Sequence, residues 1–223
     1  MRSLPLPLAL TARLLPVAVL ATAGWMLASG PSATPAAAEH RAADGSDRGT
    51  KSGSAPSTKT VTKTFTAAPA PCGSITEKSV KSLVPGAKTA GQEIASTDKS
   101  VRRTCSWNAL KGFDYRWLDV SFEIKPSDDA AETAFKQRTG EKSGGGAVPG
   151  LGDAAYSVVN LTTADKQQTR EGVVIVQASN ALVTVTYNGS DFESKKAPST
   201  DVINKGAIKA AKDAVAALEK AGK

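Results

Sequence analysis

The sequence predicts an α+β fold: an antiparallel β-sheet of about five strands, helices packed against it, and one disulfide. Three observations predict it. Apolar–polar alternation at period two recurs in several separate segments between residues 104 and 188. Segments with helix caps and helical spacing flank and interrupt those strands. The only two cysteines, Cys72 and Cys105, follow an N-terminal stretch with the features of an export signal. An even cysteine count in that setting reads as a disulfide rather than as catalysis or metal binding.

The N-terminal stretch sets the context. Arg2 and Arg13 are the only charges before Glu39, and an apolar run of about 16 residues, Leu14 to Ser29, follows the second arginine. Gly30, Pro31 and Pro35 then break it, and Ala36-Ala37-Ala38 supplies small residues for cleavage. This pattern reads as a secretory signal over 1–38, cut after Ala38. An uncleaved anchor is the alternative, although the run is shorter than the roughly 20 residues a spanning helix prefers. Either way the positive N-terminus places the remainder outside the cytoplasm, secreted or anchored to the cell membrane.

Residues 39–70 read as a flexible linker, nearly all Ala, Gly, Ser, Thr, Asp, Lys and Arg, with Val61 and Phe65 its only large apolar residues. Too little apolar surface is available there to offset the conformational entropy of ordering. The single histidine, His40, falls in this linker and reads as a solvated residue.

Residues 71–223 read as one α+β domain. Thr76 is a helix N-cap, and Ile75 and Val80 have the spacing of a hydrophobic staple. That helix is expected to stop at Pro85-Gly86. Thr104 to Ala109 reads as a strand. Trp117 to Lys125 is a stronger one, with Leu118, Val120, Phe122 and Ile124 alternating with Asp119, Ser121 and Glu123. Ser127 then caps a second helix with acids in its first turn, and Ala131, Ala134 and Phe135 form its expected buried face. A glycine-rich loop, 143–152, separates this helix from three more strands: Ala154 to Asn160, Gly172 to Ala178 and Leu182 to Asn188. Val173-Val174-Ile175-Val176 is apolar on both faces, which marks an interior strand. A C-terminal helix begins near Ser199 and carries an apolar stripe through Ile208, Ala211, Val215 and Leu218.

The order Pro71-Cys72-Gly73-Ser74-Ile75-Thr76, a short helix, Cys105-Ser106-Trp107 leading into a strand, and Gly150-Leu151-Gly152-Asp153-Ala154-Ala155-Tyr156 resembles a family of secreted and lipid-anchored proteins of high-GC Gram-positive bacteria. That family is known mainly as a domain of unknown function. The resemblance implies an extracytoplasmic α+β domain with Cys72 bonded to Cys105, and it carries no catalytic residues with it. This chain has no lipid-attachment cysteine near the expected cut site.

The chemistry read from the sequence is mostly exclusion. A Ser-His-Asp or Cys-His site needs a histidine in the folded region, and His40 is the only one in the chain. Zinc sites built from His and Cys fall for the same reason. The glycine-rich loop lacks the Gly-Lys-Ser/Thr ending of a phosphate cradle. No cofactor is expected. The net charge of +7 is spread over leader, linker and domain, without the clustered basic and aromatic residues of a nucleic-acid binder. Asp128 and Asp129 suit a helix start better than a metal. Asp114, Asp119 and Glu123 remain as carboxylates for a hydrolase.

Recognition is what remains. Trp107 and Trp117 read as core between sheet and helices. Phe113 and Tyr115, in the expected turn before the long strand, are the candidate binding anchors. The sequence therefore points to an exported noncatalytic module for an unknown envelope ligand or protein, touching membrane only through its N-terminal segment if that is uncut. A tethered accessory protein and a carboxylate-only hydrolase are the alternatives.

Overall fold

The computed structural model describes residues 64–222; the expected signal, His40 and the linker up to residue 63 lie outside the described residues. A 3-10 turn, Pro71–Gly73, precedes helix α1 (Glu77–Leu83). Then come β1 (Gln92–Ile94), β2 (Arg102–Lys111), β3 (Asp114–Ile124), α2 (Asp128–Gly140), β4 (Gly146–Ala147), β5 (Ala154–Ala164), β6 (Gln167–Ala178), β7 (Ala181–Asp191) and α3 (Thr200–Ala221). All strands join one antiparallel sheet in the order β1-β2-β3-β7-β6-β5-β4.

The α+β architecture stands, but the sheet has seven strands rather than about five. The two extra strands are its edges: β1 has 3 residues and β4 has 2. Strands this short show no alternation, and they exist because a neighbour offers free ladder positions. β4 forms inside the glycine-rich segment expected to be only a loop, pairing Gly146 with Ser157 and Ala147 with Tyr156. The long strands also outrun their sequence signals. β5 and β6 continue to a two-residue turn at Asp165–Lys166, where both residues have positive φ, 50° and 66°. Such hairpins are usually announced by Asn-Gly or Asp-Gly; here a lysine takes the second left-handed position.

Local capping follows the sequence closely. Thr76 Oγ1 accepts from Ser79 N at 3.2 Å, Ser127 Oγ from Ala130 N at 3.1 Å, and Ser199 Oγ from Val202 N at 3.3 Å. Each bond satisfies an N–H that the first helical turn leaves free.

The main core lies on one face of the sheet, beneath α3. Ile203, Val215 and Leu218 are buried there with Gly206, Ala207 and Ala210, against Val174, Val176, Val185 and Tyr187. The buried stripe therefore starts a turn earlier than expected, and Ile208 lies at its half-buried margin. Small residues let the helix approach closely: a Cβ on Gly206 would stand 2.5 Å from the Tyr187 ring. The Tyr187 ring lies against that glycine, and its hydroxyl donates to the Leu83 carbonyl at 2.7 Å, tying α1 to the same layer.

β6 is buried on both faces, as Val173–Val176 suggested. Val174 and Val176 join the main core; Val173 and Ile175 join a second cluster with Val158, Phe135 and Tyr156 under α2. Of the expected α2 face, Ala131 is fully buried while Ala134 and Phe135 are half-buried.

Two ties close the N-terminal end. Cys72 and Cys105 form the disulfide, joining the 3-10 turn to the middle of β2. Gly91 makes room for it: at φ 64°, its Cβ would stand 2.6 Å from the Trp107 ring and 2.7 Å from Cys105 Sγ. Within residues 64–70, expected in the linker, Phe65 and Ala68 are buried. Phe65 is 7% exposed, and Asn180 in the β6–β7 turn grips its backbone from both sides. Phe65 N donates to Asn180 Oδ1 and Asn180 Nδ2 donates to Phe65 O, each at 2.8 Å. Asn180 Nδ2 also donates to Lys125 O at 3.0 Å. One aromatic residue in a polar segment is enough to anchor it when a buried amide awaits its backbone.

Two stability outcomes follow. The disulfide closes a 33-residue separation, worth about 3.5–4 kcal/mol by restriction of the unfolded chain. The Cys72→Ser/Cys105→Ser double variant should melt about 8–15 °C lower by calorimetry; an unchanged melting curve contradicts the staple. Asn180→Ala leaves three backbone groups without a partner and should cost about 2–4 kcal/mol in urea unfolding.

Candidate functional site

The two faces of the sheet are covered unequally. α3, α1 and the 3-10 turn cover one face, whereas on the other α2 packs chiefly on β6 and β7. Among the described residues, the β2–β3 side of that second face is left open.

The open face can be mapped from the register. Leu118, Val120, Phe122 and Ile124 of β3 point into the core, so Tyr115, Trp117, Asp119, Ser121 and Glu123 point the other way. Across the two ladders, Trp117 lies between Asn108 and Asn188, Asp119 between Ser106 and Thr186, and Ser121 between Thr104 and Thr184. The centre of the face is thus one aromatic and one carboxylate among hydroxyls and carboxamides.

Several of these groups are held in place. Trp117 Nε1 donates to Asp119 Oδ1 at 2.7 Å, and Tyr115 stands edge-on to the indole, with centroids 6.4 Å apart and planes at 88°. Thr104 Oγ1 donates to Ser121 Oγ at 3.0 Å, and Arg102 Nε reaches the same oxygen at 3.3 Å. Ser106 Oγ is buried and, among the described residues, without a hydrogen-bond partner. Burial, with the charge of Asp119 adding to it, raises the Tyr115 pKa, so the phenol keeps its proton across the neutral range.

A groove of about 450 Å³ runs from Asp119 and Thr186 to the C-terminal end of α2, where Arg138, Glu141 and Lys142 form its wall. Its rim is anchored by Glu123. Burial works against that carboxylate, but hydrogen bonds from Lys125 and Arg138, and their charges, outweigh it and hold its pKa below the usual value. Arg138 Nη2 lies 2.5 Å from Glu123 Oε2, which ties α2 to β3.

The structure separates the aromatic residues that the sequence grouped. Trp107 is core, at 1% exposure. Trp117 is not: it is 38% exposed, on the open face. The two pair with opposite-facing neighbours, Trp107 with Leu118 and Trp117 with Asn108. Phe113 sits in the β2–β3 turn and is 55% exposed, at the end of the face. Tyr115 belongs to β3 rather than to the turn, half-buried between Trp117 and Phe192, whose ring centroid is 6.0 Å away. Asn108, Asn188, Thr184 and Thr186 were not singled out by the sequence reading. Their signal is faint: Thr184, Thr186 and Asn188 alternate in β7, polar but uncharged. Among the described residues no group of three or more His, Cys, Asp or Glu is placed to hold a metal ion, and no helix is long and apolar enough to cross a membrane.

No protein-family profile and no curated protein matches the chain. Among solved structures it is similar to the extracellular domain of PknH from Mycobacterium tuberculosis, at 13% identity and a TM-score of 0.33, over 53% of this chain and 64% of that one. It is also similar to a protein from Bacteroides thetaiotaomicron VPI-5482, at 11% identity and a TM-score of 0.30, over 50% of each chain. The chain thus spans less than two thirds of either structure.

Glu123 generates a pH dependence with a definite sign. Its folded pKa lies below its unfolded one, so its stabilisation is fully present above the ordinary carboxylate range and is lost as pH falls through the folded value. Glu123→Gln should therefore lower stability by about 1–2 kcal/mol at neutral pH. The two unfolding curves should converge as pH falls below the ordinary carboxylate range; a constant gap contradicts the assigned ionic partners.

Proposed function

We propose that this protein is an extracytoplasmic, noncatalytic binding module whose ligand sits on the open half-face of the sheet. The observation that carries the reading is Trp117, a large apolar ring 38% exposed on the sheet face and fixed there by its bond to Asp119. Exposed aromatics of this kind, rimmed by polar groups, mark recognition surfaces. The disulfide supports an oxidising compartment, in keeping with the export signal read in residues 1–38 and with the resemblance to secreted proteins of high-GC Gram-positive bacteria.

Geometry argues against the hydrolase alternative through its best carboxylates. Asp119 and Glu123 are four residues apart on one strand, a rise of about 13 Å. Glycosidase pairs stand roughly 5–9.5 Å apart. Glu123 is also engaged by Lys125 and Arg138.

The test is co-sedimentation of the full chain with washed envelopes of the source organism. The wild type should sediment, and a Tyr115→Ala/Trp117→Ala variant of unchanged melting temperature should lose at least about tenfold in affinity, the scale of removing a central aromatic anchor. Equal sedimentation of the two proteins overturns the reading.

A further inference from the structure

We infer that the ligand of this face is a neutral oligosaccharide, with one sugar ring lying on Trp117 and its hydroxyls met by Asn108, Asn188 and Asp119. The inference rests on the binding face described above and adds the chemistry of what it takes.

A sugar ring presents an apolar C–H face and an uncharged rim of hydroxyls that both donate and accept. Its receptor therefore needs a flat, immobile aromatic surface bordered by groups of mixed hydrogen-bonding character. Trp117 supplies the surface, fixed by its bond to Asp119 and buttressed edge-on by Tyr115. Fixing the ring in the free protein removes much of the ordering cost of binding. The ladders set Asn108 on one side of the indole and Asn188 on the other. Each carboxamide offers donors and acceptors from a single group. Among the described residues only Oδ1 of Asp119 is engaged, by the indole, which leaves Oδ2 as an acceptor for a sugar hydroxyl.

Charge narrows the class further. The groove beyond Asp119 is lined by Arg102, Arg138 and Lys142 and by Asp119, Glu141 and Glu171. Three cations face three carboxylates, so the site has no net field to attract a phosphate polymer or a polycation. The groove, which adjoins the Trp117 platform at Asp119, has a volume of about 450 Å³, in the range of small-molecule sites. A polyol of a few rings satisfies all of these terms; a nucleic acid or an acidic wall polymer leaves the carboxylates facing like charge.

The test uses the oxidised full chain and three neutral trisaccharides as probes: cellotriose, mannotriose and triacetylchitotriose. The readout is the indole N–H resonance of Trp117, assigned by its disappearance in Trp117→Phe. At least one probe should shift that resonance saturably and leave that of Trp107 in place. The affinity should not change when NaCl is raised about tenfold, since no ions are released. Ligand-detected saturation transfer should show a loss of at least about tenfold in Trp117→Ala, equivalent to ~1.4 kcal/mol. Asn188→Ala, on the open face, should weaken binding in the same direction and stands in if Trp117→Ala does not fold. If no trisaccharide moves the resonance while envelope binding still depends on Tyr115 and Trp117, the carbohydrate assignment is overturned and the binding face stands. If envelope binding is also indifferent to those residues, both readings are overturned. Affinity that falls steeply with salt overturns the neutral ligand.

Discussion

The seating of α3 on β5–β7 is the contact on which the rest of the arrangement depends. A 22-residue helix with Gly206, Ala207, Ala210, Ala211 and Ala214 on its buried side lies close against the sheet. Tyr187 runs beneath it to the Leu83 carbonyl, so the same contact fixes α1 and the layer that holds the disulfide. One face of the sheet is thereby closed by elements from both ends of the domain. Among the described residues the other face has only α2, whose 13 residues span about 20 Å. Seven strands at about 4.8 Å spacing are roughly 29 Å across. Phe135 seats α2 over β5 and β6, and the Arg138–Glu123 pair ties its last turns to the end of β3, so among the described residues β2 and the Trp117–Asp119 stretch of β3 stay open.

That inequality gives the polar residues of the sheet their meaning. An exposed sheet face usually carries a mixture of charges and apolar residues. Here the central rows are Thr104, Ser121 and Thr184, then Ser106, Asp119 and Thr186, then Asn108, Trp117 and Asn188. The one large ring among them is immobilised by the one carboxylate. Such a surface is suited to an uncharged, hydrogen-bonding partner with an apolar side, and that complementarity joins the fold to the proposed function.

The local features of the fold were legible in the sequence because their signals are local. Thr76, Ser127 and Ser199 cap within their own helices, and Leu118 to Ile124 alternate within one strand. The edge strands were not legible, since three residues at β1 and two at β4 carry no period of their own. Nor was the start of the packed segment, because Phe65 depends on Asn180, 115 residues away. The site was half visible. The parity that sends Leu118 and Val120 inward sends Trp117 outward with Asp119, which contradicts reading Trp117 as core. What no local pattern discloses is that β3 pairs with β7, bringing Asn188 beside Trp117 across 71 positions of sequence. The open face is therefore a product of topology, and its residues acquire a common role only when the ladders are known.

The most direct measurement of the central claim is carbene footprinting of the full chain, free and bound to washed envelopes. It reads the location of binding without altering any residue. Protection concentrated on β2, β3 and β7, at Trp117, Tyr115 and the threonines beside them, is the result this account predicts. Protection centred on the outer side of α3, with the open face labelled equally in both states, would contradict it.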